Sequence, residues 1–313
     1  MNARFFRSYI NDKSAFLSNS FFAMVADAYN IYQTVEILST NGYKKANQRI
    51  DHMLIKSFLA GVLLSFGGLF LLTVGGGSAP LAQNFGPGVQ KMLQASVFPI
   101  GLILIILTSA DLFTGNTMIL MISTLHKKTS WLNLLLTWSI SYIGNFLGCL
   151  FFQFILVYYA GLLESEPYRS YSIKYAEYKG YTEWYQLFLR AISGNWLVCL
   201  GVLLGVSARD LSSKIIGVYL PIWLFVAVGF EHSIANMFTV QMGMILGANV
   251  SILRYILNVL IPVTIGNIIG GGVFVGFVYW YLYLAKKVDN TTAEIPMNQT
   301  YRPVNQQENI VSS

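Results

Sequence analysis

Charge is scarce in this 313-residue chain: 11% of its residues are Asp, Glu, Lys or Arg, whereas 55% are hydrophobic. A soluble domain carries about 25% charged residues, so this composition excludes an ordinary soluble protein. Long uncharged runs separate the charges, for example residues 57–90 and 130–163. A helix of about 20 apolar residues crosses a bilayer. The runs are too continuous for barrel strands, so the chain is predicted to be an all-α integral membrane protein.

Cysteine is also rare, and both residues, Cys149 and Cys199, fall inside hydrophobic runs. At bilayer depth we expect two thiols to be packing residues rather than a disulfide or metal ligands. The sequence contains no His-Glu-x-x-His and no Gly-x-Ser-x-Gly segment. This argues against an intramembrane protease or lipid transferase, so we expect no enzyme, no metal site and no cofactor.

The basic residues lie between the hydrophobic runs rather than in one patch, which argues against a nucleic-acid partner. They concentrate before the first run, near residues 126–128 and 209–214, and after the last run. By the positive-inside rule, both termini are predicted to be cytoplasmic, with an even number of crossings. Six crossings fit, at about 55–77, 92–124, 131–160, 187–207, 215–245 and 251–284. The expected organisation is a cytoplasmic segment 1–54, a six-helix pore domain 55–285 and a cytoplasmic, disordered tail 286–313.

Two halves of the chain carry the same motifs. Asp111-Leu-Phe-Thr-Gly-Asn116 matches Glu231-His-Ser-Ile-Ala-Asn236, and Gly144-Asn-Phe-Leu-Gly148 matches Gly266-Asn-Ile-Ile-Gly270. Three crossings per copy is an odd number, so the predicted architecture is an inverted 3+3 repeat with its site where the halves meet. An acid followed by small residues at bilayer depth predicts interrupted second and fifth helices. Asp111, Glu231, Asn116 and Asn236 would support these breaks, and simple capping of loop N–H groups by the acids is compatible with a pore beside them.

His232 is the only histidine inside a predicted crossing. Imidazole donates and accepts hydrogen bonds and changes charge near neutral pH. A lone histidine on an apolar face is more often a packing residue, but this one follows an intramembrane glutamate within the repeated motif. We therefore expect it in the functional site. Burial opposes a charged ring and Glu231 favours one, and the sequence leaves this balance open.

Three segments resemble the signature segments of the formate/nitrite transporter family: Thr108-Ser-Ala-Asp-Leu-Phe-Thr-Gly-Asn-Thr117, Gly229-Phe-Glu-His-Ser-Ile-Ala-Asn-Met-Phe238 and Asn258-Val-Leu-Ile-Pro-Val-Thr-Ile-Gly-Asn-Ile-Ile-Gly-Gly-Gly272. The resemblance covers about residues 30–285. It implies a homopentamer of aquaporin-like protomers, each with its own pore, that moves nitrite or formate together with protons. The extended N-terminus and polar C-terminal tail favour a eukaryotic member in the plasma membrane.

The resemblance also implies roles for individual residues. Thr114 and His232 would lie on the loops that break the second and fifth helices. The implied positions are His232, Thr114, Asn195 and Asn267 on the substrate pathway, Phe98, Leu102 and Phe225 in the apolar constrictions, and Lys45 and Lys179 in the inner and outer vestibules. Without the resemblance, the phenylalanines are equally consistent with helix packing, and Lys179 with a solvated loop charge.

Other substrates remain as alternatives. Lactate and hydrosulfide are further substrates of the same family, and an aquaglyceroporin-like channel for neutral solutes shares the inverted repeat. The sequence contains no Asn-Pro-Ala pair, which argues against the neutral-solute channel. In the favoured interpretation, lysines at the two mouths of the pore attract anions. The substrate then crosses the dry constrictions either as the neutral acid, after it has gained a proton, or as an anion that the pathway residues hold briefly. The expected partners are membrane lipid, the small anion and protons.

Overall fold

The computed structural model describes residues 28–285. The predicted tail 286–313 and residues 1–27 of the predicted N-terminal segment lie outside this range. The helices are numbered here in chain order as α1 Ile31–Ala46, α2 Ile50–Gly77, α3 Ala79–Phe85, α4 Pro87–Leu107, α5 Phe113–Leu125, α6 Trp131–Tyr158, α7 Tyr168–Tyr181, α8 Trp184–Ser207, α9 Leu211–Val228, α10 Ser233–Leu246 and α11 Ile252–Tyr283. Helix α6 ends in π-helical turns, and α11 contains two such stretches.

Six helices within the described range, α2, α4, α6, α8, α9 and α11, are long and apolar enough to cross a bilayer. They contain 18 to 32 residues each, and a helix rises about 1.5 Å per residue, so their lengths are close to or above the thickness of a hydrocarbon core, about 30 Å. Their outer faces expose large apolar side chains such as Phe66, Leu132 and Phe277. These faces suit contact with lipid, and the predicted all-α membrane fold is confirmed.

The second and fifth predicted crossings are each divided between two helices. Helix α4 ends at Leu107 and α5 begins at Phe113, while α9 ends at Val228 and α10 begins at Ser233. Gly229 follows α9 with φ of +86°, a left-handed conformation that glycine adopts without steric cost. These bounds are consistent with the predicted interruptions.

The two halves hold their breaks with equivalent backbone contacts. The Asp111 N–H donates to the Lys56 carbonyl at 3.2 Å, and the Glu231 N–H donates to the Arg190 carbonyl at 3.3 Å. In each case a crossing helix, α2 or α8, supplies the acceptor for the acid of a repeated motif. The correspondence is consistent with the predicted inverted repeat.

Glycines of the second repeated motif bring backbones into close contact. Gly148 of α6 lies against the Phe58 carbonyl of α2, and Gly270 of α11 lies against the Ile192 carbonyl of α8. A side chain at either glycine would overlap the facing backbone. Small residues at such crossings are the usual route to close helix packing in membranes.

Helix α1 lies in the segment predicted to precede the pore domain. It packs on α5, with Val35 and Leu38 fully buried and Gly42 against Ser123. The buried positions of α1 recur at helical spacing on one face, while its other face is polar, so no uncharged run marks it in the sequence. Helix α2 begins at Ile50, and the predicted start of the pore domain at residue 55 lies within its second turn.

The glycine contacts predict that Gly148→Ala destabilises the protein. The added methyl group meets the Phe58 carbonyl oxygen, and overpacking of this kind costs about 1–3 kcal/mol. Thermal unfolding and size-exclusion profiles of the purified protein in detergent measure the effect. Gly88→Ala is the matched control, because nothing lies within 4 Å of the added group. Equal stability of the two variants would contradict the packing assignment.

Candidate functional site

His232 lies at the N-terminal end of α10 and contacts the other half of the repeat. Its Nδ1 accepts a hydrogen bond from the Ala235 N–H at 3.1 Å, and its Nε2 lies 2.8 Å from the hydroxyl oxygen of Thr114 on α5. A backbone N–H can only donate, so Nδ1 is unprotonated and the proton of the neutral ring is on Nε2, directed at Thr114. The structure thus brings the two predicted pathway residues together where the breaks meet.

Two buried asparagines connect the breaks to the neighbouring helices. Asn267 of α11 accepts from the Ser233 N–H at 2.8 Å and donates to the carbonyls of Ala191 and Glu231 at 2.9 and 3.1 Å. Asn145 of α6 makes the equivalent three contacts at the first break. Its partners are the Phe113 N–H at 2.9 Å and the carbonyls of Ser57 and Asp111 at 2.7 and 2.9 Å.

These contacts place Asn267 differently from the pathway position that the resemblance implied. Its side chain is fully buried, and its amide is engaged with the backbone of the break rather than open to a substrate. Asn145 has the same place in the other half, although sequence reasoning gave it no site role. The matched Gly-Asn-x-x-Gly motifs were the signal that could have assigned both asparagines together.

Asn195 of α8 lies in the same buried polar layer. Its Nδ2 is 2.6 Å from the Asn267 carbonyl, 2.9 Å from the Thr117 hydroxyl and 3.2 Å from the Thr114 carbonyl. The side chain is fully buried and joins α5, α8 and α11. Asn195 therefore supports Thr114 through a hydrogen bond to the Thr114 backbone carbonyl, and the Asn195 side chain is not exposed to solvent.

Glu231 forms a buried ion pair with Lys179 of α7. The Lys179 ammonium lies 2.7 Å from the carboxylate, which also accepts from the Asn236 amide at 2.9 Å. The two charged side chains are only 9% and 2% exposed. Burial by itself lowers the pKa of Lys179, but the charge of Glu231, the nearby Tyr175 and the hydrogen bonds to both residues together outweigh it, so the pKa is raised. Lys179 was predicted as a vestibule charge, and its charge is paired with that of Glu231.

Asp111 is paired in a related way at the first break. Lys45 of α1 forms an ion pair with one carboxylate oxygen, and the Gln48 amide donates to the other at 2.8 Å. Lys45 was predicted in the inner vestibule, and its positive charge is thus also compensated by a buried acid. Asn116 was predicted to support this break, but its buried amide has no hydrogen-bond partner among residues 28–285. Gln48, which sequence reasoning missed, provides the amide contact instead.

A cavity of about 690 Å³ reaches His232 from the side of α7. Phe98 and Phe225 stand in its wall with ring centroids 6.1 Å apart, and the Phe225 ring is 6.2 Å from the His232 ring. Aromatic rings at such separations are in contact. Phe98 and Phe225 therefore form one apolar contact in the cavity wall. Leu102, predicted beside Phe98, lies one turn further along α4, where it is buried and does not line this cavity.

Comparison with known proteins identifies the family. Residues 32–281 match the Formate/nitrite transporter family. The chain belongs to this family. It is 37% identical over 265 residues to a probable formate transporter of Methanothermobacter thermautotrophicus, which covers 80% of this chain and 96% of that protein. The chain is thus a formate/nitrite transporter family member, as the motifs predicted, and a family of transporters and channels excludes the enzyme alternative.

Two solved structures share the fold of this family member. A pentameric formate channel with formate bound superposes with a TM-score of 0.65 at 32% identity, covering 75% of this chain and 98% of that one. An ion channel of the FNT family superposes with a TM-score of 0.71 at 26% identity, covering 80% and 98%. The six-crossing fold is confirmed by these neighbours.

The buried acid–lysine pair predicts that Glu231→Gln strongly destabilises this transporter family member. The amide can still bond Asn236, but the Lys179 charge is left buried and unpaired, a loss of about 3–5 kcal/mol. Thermal unfolding of the purified protein in detergent measures this loss of stability. Asp51→Asn is the matched control, because it breaks the Arg49–Asp51 pair, whose side chains are 75% and 52% exposed, and no measurable change is expected. Equal stability of the two variants would refute the role assigned to the Glu231 pair.

Proposed function

We propose that the chain transports small monovalent weak-acid anions, nitrite or formate, through one pore in each protomer. The observation that carries the proposal is the Thr114–His232 hydrogen bond, which joins the two breaks at a histidine that lines the cavity. Family membership and the similarity to formate transporters and a formate channel support the substrate class.

The centre of the proposed pore carries no net charge, but the electric field of the helix dipoles there attracts an anion. Helices α5 and α10 both begin at the breaks, and a helix N-terminus carries about half a positive charge. The first N–H groups are already taken by Asn145, Asn267 and His232. An anion at the centre therefore meets the dipole field together with the Thr114 hydroxyl and the imidazole.

The hydrogen bonds of His232 favour a neutral ring during transport. A second proton can be added only at Nδ1, where it would face the Ala235 N–H and break the cap of α10. We infer that His232 serves as a hydrogen-bonding group, and that the proton travels with the substrate as a weak acid. Proton-coupled transport then requires no charged imidazole.

The contact between Phe98 and Phe225 supplies the dry barrier of this mechanism. Hydrated ions cross an apolar constriction poorly, because their water has to be removed and nothing polar replaces it. A small acid that takes up a proton beside the constriction loses its charge and passes more readily. The barrier thereby favours weak acids over permanently charged ions.

The proposed assembly is a homopentamer in the plasma membrane with both termini in the cytoplasm. The pentameric formate channel among the structural neighbours supports the assembly. The predominance of Lys and Arg near the termini and in alternate loops supports the orientation. The exposed apolar faces of the crossing helices would meet lipid and neighbouring protomers.

Two substitutions at His232 test whether its ring carries a proton or only hydrogen bonds. His232→Asn keeps a capping acceptor and an amide near Thr114, so we expect substantial formate and nitrite flux with the wild-type response to acid. His232→Phe removes both hydrogen bonds and should lower flux by about tenfold or more. Flux into proteoliposomes is measured against pH. Lost acid stimulation in His232→Asn would show that the ring carries the proton, and full flux in His232→Phe would remove His232 from the site.

Widening the constriction should relax selectivity. Phe98→Ala or Phe225→Ala opens the apolar contact, so lactate flux should rise relative to formate flux. Phe277→Ala is the control, since Phe277 is exposed on α11 away from the cavity. Oligomer size is checked first, because the cavity variants delete buried side chains. Unchanged selectivity in an intact oligomer would contradict the constriction, and glycerol flux without anion flux would overturn the proposed function.

A further inference from the structure

The cavity that reaches His232 carries an unbalanced set of charges. Its charged lining residues are Lys91, Lys174, Lys179, Arg190 and Glu231. The buried pair of Lys179 and Glu231, 2.7 Å apart, cancels to a dipole whose field falls off quickly with distance. Three positive charges remain.

The three remaining cations have no acidic partner within residues 28–285. Lys91 and Lys174 are exposed, and Arg190 is half-buried. Within the described residues, the hydrogen bonds of the Arg190 guanidinium go to neutral groups, the Tyr178 hydroxyl at 3.3 Å and the Gln186 amide oxygen at 3.5 Å. Their charges are therefore available to a ligand in the cavity.

We propose that Lys91, Lys174 and Arg190 form an anion-capture site at the mouth of this cavity, and that a divalent oxyanion occupies it more tightly than the monovalent substrate. The inference rests on the proposed function and adds the residues that collect the anion. The three residues come from different helices, α4, α7 and α8, and converge on one cavity. A solvated charged face of a single helix would not have this arrangement.

Electrostatics favours capture at this place. A cleft lined by charge of one sign between low-dielectric walls focuses the field and raises the local concentration of the opposite ion. The Coulomb attraction of a divalent anion to each cation is twice that of a monovalent one. A divalent oxyanion cannot become neutral with one proton, so the Phe98–Phe225 contact stops it. It should bind at the mouth and compete with the substrate without crossing.

The experiment measures formate uptake by proteoliposomes of the full chain, with sulfate on both faces and ionic strength held constant with gluconate. In the wild type, sulfate should raise the formate concentration for half-maximal uptake. Combining Lys91→Gln, Lys174→Gln and Arg190→Gln should raise the same value by roughly threefold to tenfold without sulfate and remove the sulfate effect. The maximal rate should stay unchanged, because the residues lie outside the Thr114–His232 pair.

Two controls make the outcome specific. Combining Lys91→Arg and Lys174→Arg keeps the charges and should keep both wild-type responses. Lys214→Gln removes one charge near the opposite end of α9, about 21 Å along the helix from Val228 in the cavity wall, and should change neither response. Sulfate inhibition that is absent in the wild type, or unchanged in the triple variant, would overturn the capture site. Failure of the wild type to carry any monovalent weak acid would instead overturn the proposed function.

Discussion

An unpaired backbone N–H or C=O at bilayer depth costs several kcal/mol, and a helix that stops in the middle of a membrane leaves such groups behind. Asn145 and Asn267 meet this constraint at the two breaks. Each amide accepts from the first N–H of a half-helix and donates to two carbonyls, one of which belongs to the acid of the break. These bonds satisfy backbone groups where the chain leaves helical geometry and Thr114 meets His232.

The two motif copies contribute different side chains to the Thr114–His232 pair. In the repeated motifs, His232 corresponds to Leu112, and Thr114 corresponds to Ile234. One half thus contributes the imidazole and the other the hydroxyl, and the opposite positions are apolar. The supporting contacts also differ between the two breaks. The Asn236 amide donates to Glu231, whereas the side-chain amide of its counterpart Asn116 has no partner in the described part of the chain and Gln48 contacts Asp111 instead.

The sequence predicted those features that depend on local pattern. Apolar runs predicted the membrane-crossing helices, which are confirmed, and the repeated acid-to-Asn motifs predicted interruptions with which the helix ends at Leu107 and Val228 are consistent. It could not predict the direction in which a polar side chain points. An asparagine such as Asn267 occurs in the sequence in the same way whether its amide lines a pore or binds the backbone. Pairings between distant residues were equally inaccessible, since Lys179 and Glu231 are 52 residues apart. Helix α1 was missed because it buries only one face.

The positive charges at the breaks differ physically from those at the mouth of the cavity. Lys45 and Lys179 form ion pairs with buried acids at the breaks. An unpaired charge there would have a high desolvation free energy, and an ion pair attracts other ions only weakly at distances longer than the pair itself. Charges that act at a distance must instead stay hydrated and unpaired, as Lys91 and Lys174 are at the mouth of the cavity. In the proposed mechanism an anion therefore passes from a charged mouth to a dry, formally neutral centre. Only an anion whose charge is neutralised by the binding of one proton suits both environments. This property defines the anion of a monovalent weak acid.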